Sequence, residues 1–181
     1  MPHPQPQGFL AMPATGKGPG VLILHAWWGL NETMKEVCRR LALEGFIAFA
    51  PDLYHGQLAA TIEEAEILSG RLEAKQARAD IAEAVGFLSQ RAELGGSRLG
   101  VIGFSLGAYY ALDLSVNDPE RVAAVVIFYG TGDGDFKPSK AAYLGHFAQT
   151  DAYEPASEVD GLERALRAAG RPAAFYHYEG T

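Results

Sequence analysis

The stretch Leu99-Gly-Val-Ile-Gly-Phe-Ser-Leu-Gly-Ala-Tyr-Tyr-Ala-Leu112 decides the architecture. Its first part, Arg98–Phe104, is a short continuous apolar run of the kind that forms a strand buried on both faces of a parallel sheet. Leu106–Val116 then reads as a helix. Between them Gly103-Phe-Ser-Leu-Gly107 has the form G-x-S-x-G. A serine there needs a sharp, strained turn that lifts its hydroxyl out of the sheet. Glycines two residues to either side let the strand and helix backbones pass without a Cβ clash. The following helix aims its first amides and the positive end of its dipole at Ser105, which suits a developing oxyanion. Alone the pattern arises by chance; between an apolar strand and a good helix it is specific. The plainer alternative makes Ser105 only the N-cap of a tight turn.

Further apolar runs occur at Val21–Ala26, Phe46–Ala50, Val122–Tyr129, Ala141–Gln149 and Ala173–Tyr178, and Gly8–Pro13 is expected to add an edge hairpin strand. Helix-period segments separate most of them. Asn31 caps a helix through Leu43 that Gly45 ends. Thr61, with Glu63 and Glu64 behind it, opens another, which Gly70 is expected to interrupt before Ala74–Gln90 resumes; Ser157–Ala169 is the last. Strand–helix alternation predicts an α/β fold with a mostly parallel sheet and helices on both faces. Ligand-binding loops then gather at the carboxyl ends of the strands.

The 181 residues allow one domain, taken as 8–181 behind a mobile Pro/Gln-rich segment 1–7. Lys and Arg number 15 against 22 Asp and Glu, a net charge of −7, with no basic block to attract a phosphate backbone, so nucleic acid is not an expected partner. No run approaches the ~20 apolar residues of a membrane span, and the first residues lack the pattern of a signal peptide, so a cytoplasmic protein is expected. Cys38 is the single cysteine; it lies at helical spacing with Met34, Val37 and Leu41, which reads as a buried structural thiol. No metal site and no cofactor are expected.

Around Ser105 the same logic collects partners. Val21-Leu-Ile-Leu24 runs into the loop His25-Ala-Trp-Trp-Gly-Leu30, where an amide can complete an oxyanion hole; the backbone N–H groups of Trp27 and Leu106 are assigned to it. The alternative for Trp27 and Trp28 is core packing. Asp151 follows a later strand and precedes Pro155, the address of a triad acid; Asp133 and Asp135 compete but read as turn residues, and their loop has too few spaced oxygens for calcium. Trp28, Tyr54 and Phe104 are expected to line a small, largely apolar pocket.

Together these residues resemble the dienelactone hydrolase family of the α/β-hydrolase superfamily. The resemblance rests on Val21–Asn31, Gly45-Phe-Ile-Ala-Phe-Ala-Pro-Asp-Leu-Tyr54, the Ser105 turn and Leu144-Gly-His-Phe-Ala-Gln-Thr-Asp151. It implies a hydrolase of small carboxylic esters or lactones, working through an acyl-enzyme on Ser105, as a monomer or homodimer. Best-known members carry a cysteine at the position of Ser105 and a glutamate at the position of Ala26, and their carboxylate-binding arginines have no clear match. Serine is activated by a neighbouring histidine and needs no resident anion, so the two changes agree, and they argue against dienelactone itself.

The resemblance also places the triad histidine and a closing helix after the last strand, where the sequence has only Gly180-Thr181. His177 alone follows Asp151, and it falls inside a strand. The expectation is therefore an incomplete copy of a longer chain, with the histidine beyond Thr181. The rivals are a homologue that binds small molecules without turnover, and acyl transfer to an acceptor other than water.

Overall fold

A computed structural model describes residues 5–91 and 98–179. Seven strands form one sheet: β1 (Gly8–Ala11), β2 (Gly20–Leu24), β3 (Ile47–Pro51), β4 (Leu99–Phe104), β5 (Val122–Phe128), β6 (Ala142–Ala148) and β7 (Ala173–Tyr178). Their order is β1-β3-β2-β4-β5-β6-β7, parallel throughout except for β1. Every residue of β2 and β3 is buried, which accounts for their unbroken apolar sequences. The expected edge strand is present, but it is not a hairpin. β1 pairs antiparallel with β3, because both sides of β2 are taken by β3 and β4.

The helices are α1 (Glu32–Leu43), α2 (Ile62–Arg71), α3 (Ala74–Arg91), α4 (Leu106–Asn117) and α5 (Ala156–Ala168). Asn31 Oδ1 accepts the Met34 amide at 3.1 Å, and Gly45 (φ 92°) takes the left-handed conformation just beyond the end of α1. Thr61 and Glu64 form a reciprocal capping box at α2. Gly70 does not break α2. The helix runs through it to Arg71, and the turn comes at extended Leu72 (ψ 105°); an interior glycine costs only about 1 kcal/mol, too little to end a capped helix.

One face of the sheet is covered by α3, α4 and α5, which share a core with Leu22, Phe49, Val101, Val125, Ile127 and Phe147. On the other face, among the described residues, the helical contribution is α1, through Met34, Cys38 and Ala42 against Ile23, Ala48 and Ala50. Cys38 is fully buried, and burial pushes its thiol pKa up to about 12, so it packs as an inert apolar group. The segment expected to be mobile is partly tied down: Pro6 is buried and the Gln7 carbonyl accepts the Asp52 amide at 3.0 Å. Residues 1–4 of that segment lie outside the described residues. No helix among the described residues is long and apolar enough to cross a membrane.

Candidate functional site

Four loops meet at the carboxyl edge of the parallel strands, after β2, β4, β5 and β6. Ser105 sits at the end of β4 with φ 50° and ψ −114°, outside the regions that residues with a Cβ favour. Its side chain makes no capping bond to α4, so the N-cap reading is set aside. The neighbouring backbone holds the strain. Ser105 N–H donates to the Phe128 carbonyl at 3.0 Å, and the Ser105 carbonyl accepts from Ala108 at 2.7 Å. A Cβ on Gly107 would overlap the Leu24 carbonyl oxygen, and one on Gly103 the Gly107 carbonyl oxygen, so strand, turn and helix fit only with glycine at both places.

The β2 loop is fixed from beneath by His25, a residue that the sequence did not single out. Its imidazole is fully buried. Nδ1 donates to the Ala26 carbonyl at 2.7 Å and Nε2 accepts the Leu53 amide at 3.2 Å, so one ring ties the ends of β2 and β3 together. These partners select one neutral tautomer, and burial holds its pKa below the ordinary histidine value. The loop above carries Trp27 and Trp28, both half-buried. The Trp27 amide enters no turn or loop backbone hydrogen bond among the described residues, and the Leu106 amide, first in its helix, has no intrahelical acceptor. Neither amide is taken up by a loop bond or by its own helix among the described residues.

Ser105, Trp27, Trp28 and Asp151 line one cavity of about 240 Å³, together with Tyr129 and Tyr153. Ala26 and Ile62 complete its wall. Asp151 Oδ1 accepts the amides of Tyr153 at 2.8 Å and Glu154 at 3.3 Å, a turn that holds the carboxylate at the mouth of the β6 loop. Behind it, half-buried Glu154 accepts the Thr131 hydroxyl at 2.7 Å, and burial raises its carboxyl pKa. The competing carboxylates are elsewhere: Asp133 borders a depression beside Tyr109 and Leu112, and Asp135 Oδ1 caps its own turn at Lys137 N.

Two expected pocket residues do not line this cavity. Tyr54 is buried with its ring edge-on to His25 at 5.1 Å, on the far side of the β3 loop. Phe104 is the last strand residue before the turn, so its ring lies on the sheet face, stacked on Phe128 at 4.9 Å. In their place stand Tyr129 and Tyr153. Tyr129 has φ 38°, and the only sequence signal for it was its position at the end of a strand, before Gly130. A larger cavity of about 570 Å³ near α2 and α3 includes Tyr54, His55 and Arg71 but no serine or cysteine.

None of the four described histidines lines the Ser105 cavity. His25 has both nitrogens committed, His55 pairs with Asp80 at 3.1 Å, and His146 Nδ1 contacts the Tyr178 hydroxyl at 2.7 Å. His177 lies within β7 with its ring against Phe147.

The family model of the dienelactone hydrolase family matches residues 7–181. The protein usf of Aquifex pyrophilus is 35% identical over 130 residues, covering 68% of this chain and 56% of that protein. A protein of Methylorubrum extorquens, provisionally named carboxymethylenebutenolidase, is 31% identical over 188 residues, covering 94% of this chain and 64% of its own length. The chain thus spans less than two thirds of these relatives. Among solved structures, one provisionally named dienelactone hydrolase from Klebsiella pneumoniae superposes with a TM-score of 0.84 at 26% identity, covering 96% of this chain and 80% of that one. Fold and sequence agree, and the chain belongs to the dienelactone hydrolase family, hydrolases of the α/β-hydrolase fold.

Proposed function

We propose that this protein is a serine hydrolase of small carboxylic esters or lactones. The observation that carries the reading is the strained, uncapped Ser105 sharing one cavity with Asp151 and the Trp27 loop. In this reading Ser105 Oγ attacks the ester carbonyl, and the amides of Trp27 and Leu106 hold the oxyanion. A histidine oriented by Asp151 takes the hydroxyl proton and returns it to the leaving alcohol, and water then releases the acid from the acyl-enzyme. Among the described residues no histidine lines the cavity, so the base of this reading is not one of its lining side chains.

A second reading is favoured by that same observation: a homologue that keeps the cavity and binds small molecules without turnover. Losing a triad base lowers turnover by roughly 10⁴–10⁶ while binding and the oxyanion hole survive. Acetylation by p-nitrophenyl acetate separates the two. The expected result is transfer of one acetyl group to Ser105, slow in the 181-residue chain, accelerated by added imidazole, and absent in Ser105→Ala. No acetyl-Ser105 with or without imidazole favours the binding homologue. Rapid turnover without imidazole, abolished by His177→Ala, would make His177 the base.

A further inference from the structure

The cavity of about 570 Å³, between the loop after β3 and the junction of α2 with α3, shares no lining residue with the Ser105 cavity. The histidine that the proposed reaction requires stands beside Ser105 and takes none of this space. Leu53, Tyr54, Leu68, Leu72 and Ala79 make the wall largely apolar. Its charges do not balance. Arg71, in the last turn of α2, and Lys75, in the first turn of α3, both line it, and neither has a hydrogen bond or ion pair among the described residues. Among those residues Glu73 is the one carboxylate in the wall, and His55 is answered by Asp80, 3.1 Å from its Nε2. Two cations against one carboxylate leave a single positive charge. No acidic residue stands in the first turn of α3, so the positive end of its dipole meets Lys75, the unfavourable sign. Tyr54, 4% exposed, has a buried hydroxyl without a hydrogen-bond partner among the described residues, a state that native walls seldom leave unanswered.

We infer that this cavity is a binding site for an apolar monocarboxylate, a medium-chain or aryl acid, separate from the site of hydrolysis. Its volume falls within the roughly 300–1,000 Å³ of cavities that hold small ligands. Arg71 and Lys75 are exposed and already solvated, so charge alone does not retain a ligand there. Affinity comes from burying an apolar body against Leu53, Leu68 and Leu72, and the two cations decide which end group that body carries. The planar fork of Arg71 suits a carboxylate, which it can bind through two parallel hydrogen bonds. An alcohol of the same shape gains only the apolar contact, and an amine meets like charge.

Isothermal titration calorimetry with octanoate, octanol and octylammonium measures that selection apart from catalysis. Octanoate should bind about tenfold or more tighter than octanol, the ratio of one charge-assisted contact, and octylammonium should bind most weakly. Arg71→Gln combined with Lys75→Gln, both at exposed positions, should bring octanoate down to the affinity of octanol. Ala79→Trp, also at an exposed position, should fill the cavity and abolish binding of octanoate and octanol alike. Ser105→Ala, in the other cavity, should leave octanoate binding unchanged. Octanoate no tighter than octanol, affinity that survives Ala79→Trp, or a loss in Ser105→Ala equal to that in the double variant overturns the inference. Failure of the hydrolase reading is a separate result: octanoate binds as expected, yet Ser105 accepts no acetyl group.

Discussion

The two halves of the sheet are built to different standards. Around β2 and β3 both faces are covered, by α1 on one side and α3 on the other, and Leu22, Ile23, Phe49 and Ala50 have no solvent exposure. Across β4 to β7 one face is sealed by α4 and α5, while the other carries a row in direct register: Phe104, Phe128, His146 and Tyr176. Consecutive rings stack at 4.9, 4.7 and 5.8 Å, and the row ends on Tyr176, 54% exposed. The Trp27 loop rests on the doubly covered half, and the elbow stands at the border, at the end of β4 and bonded to Phe128 of β5. The Asp151 loop rests on the other half. Cover is thus two-sided beneath the Trp27 loop and one-sided beneath the Asp151 loop.

That contrast can be broken by mutation. The largest effect is expected for Phe49→Ala, which empties a fully buried site packed against Phe87 at 5.0 Å; urea unfolding should show a loss of about 3–5 kcal/mol. Gly107→Ala should cost about 3 kcal/mol, because the new methyl meets the Leu24 carbonyl rather than a flexible side chain, and the same variant should lose labelling of Ser105. His25→Ala orphans the Leu53 amide in a buried place, for about 1–3 kcal/mol.

His25 also makes a pH prediction. Burial keeps the folded imidazole below its ordinary value of 6.5, so the unfolded chain binds the proton first. Its contribution is complete above pH 6.5 and is lost as pH falls below that point. His146 is shifted in the same direction and remains in the variant, so His25→Asn should make the acid-side decline shallower without abolishing it. An unchanged slope would mean that the buried ring is not the titrating group. At the small end, Tyr176→Ala should cost less than about 1 kcal/mol in equilibrium unfolding, since the ring keeps half its surface in water. A loss equal to that of Phe49→Ala would erase the distinction between the halves.

The same contrast governs what could be read from the chain. Double burial writes itself as unbroken apolar runs, so β2 and β3 were legible, as were the caps at Asn31 and Thr61, where chemistry is local. The pairing of β1 was not, because the choice between β2 and β3 is made by which edge is free. Ser105, Asp151, Trp27 and Trp28 sit where position after a strand put them. Tyr54 and Phe104 do not: their directions depend on the His25 tether and on strand pleat, which a motif does not encode. Tyr129 and Tyr153 went unnoticed because an aromatic residue in a loop carries no spacing signal until the loops converge.

The central claim is that the turn itself, a strained serine at a helix N-terminus sharing a cavity with the Trp27 loop, makes Ser105 the reactive hydroxyl. Labelling with a fluorophosphonate tests it most directly, with peptide mapping to locate the adduct. The account predicts a single phosphonylated residue, Ser105, with modification slowed in Asp151→Asn and absent in Ser105→Ala. An intact chain after prolonged exposure, or an adduct on any other serine, would contradict it.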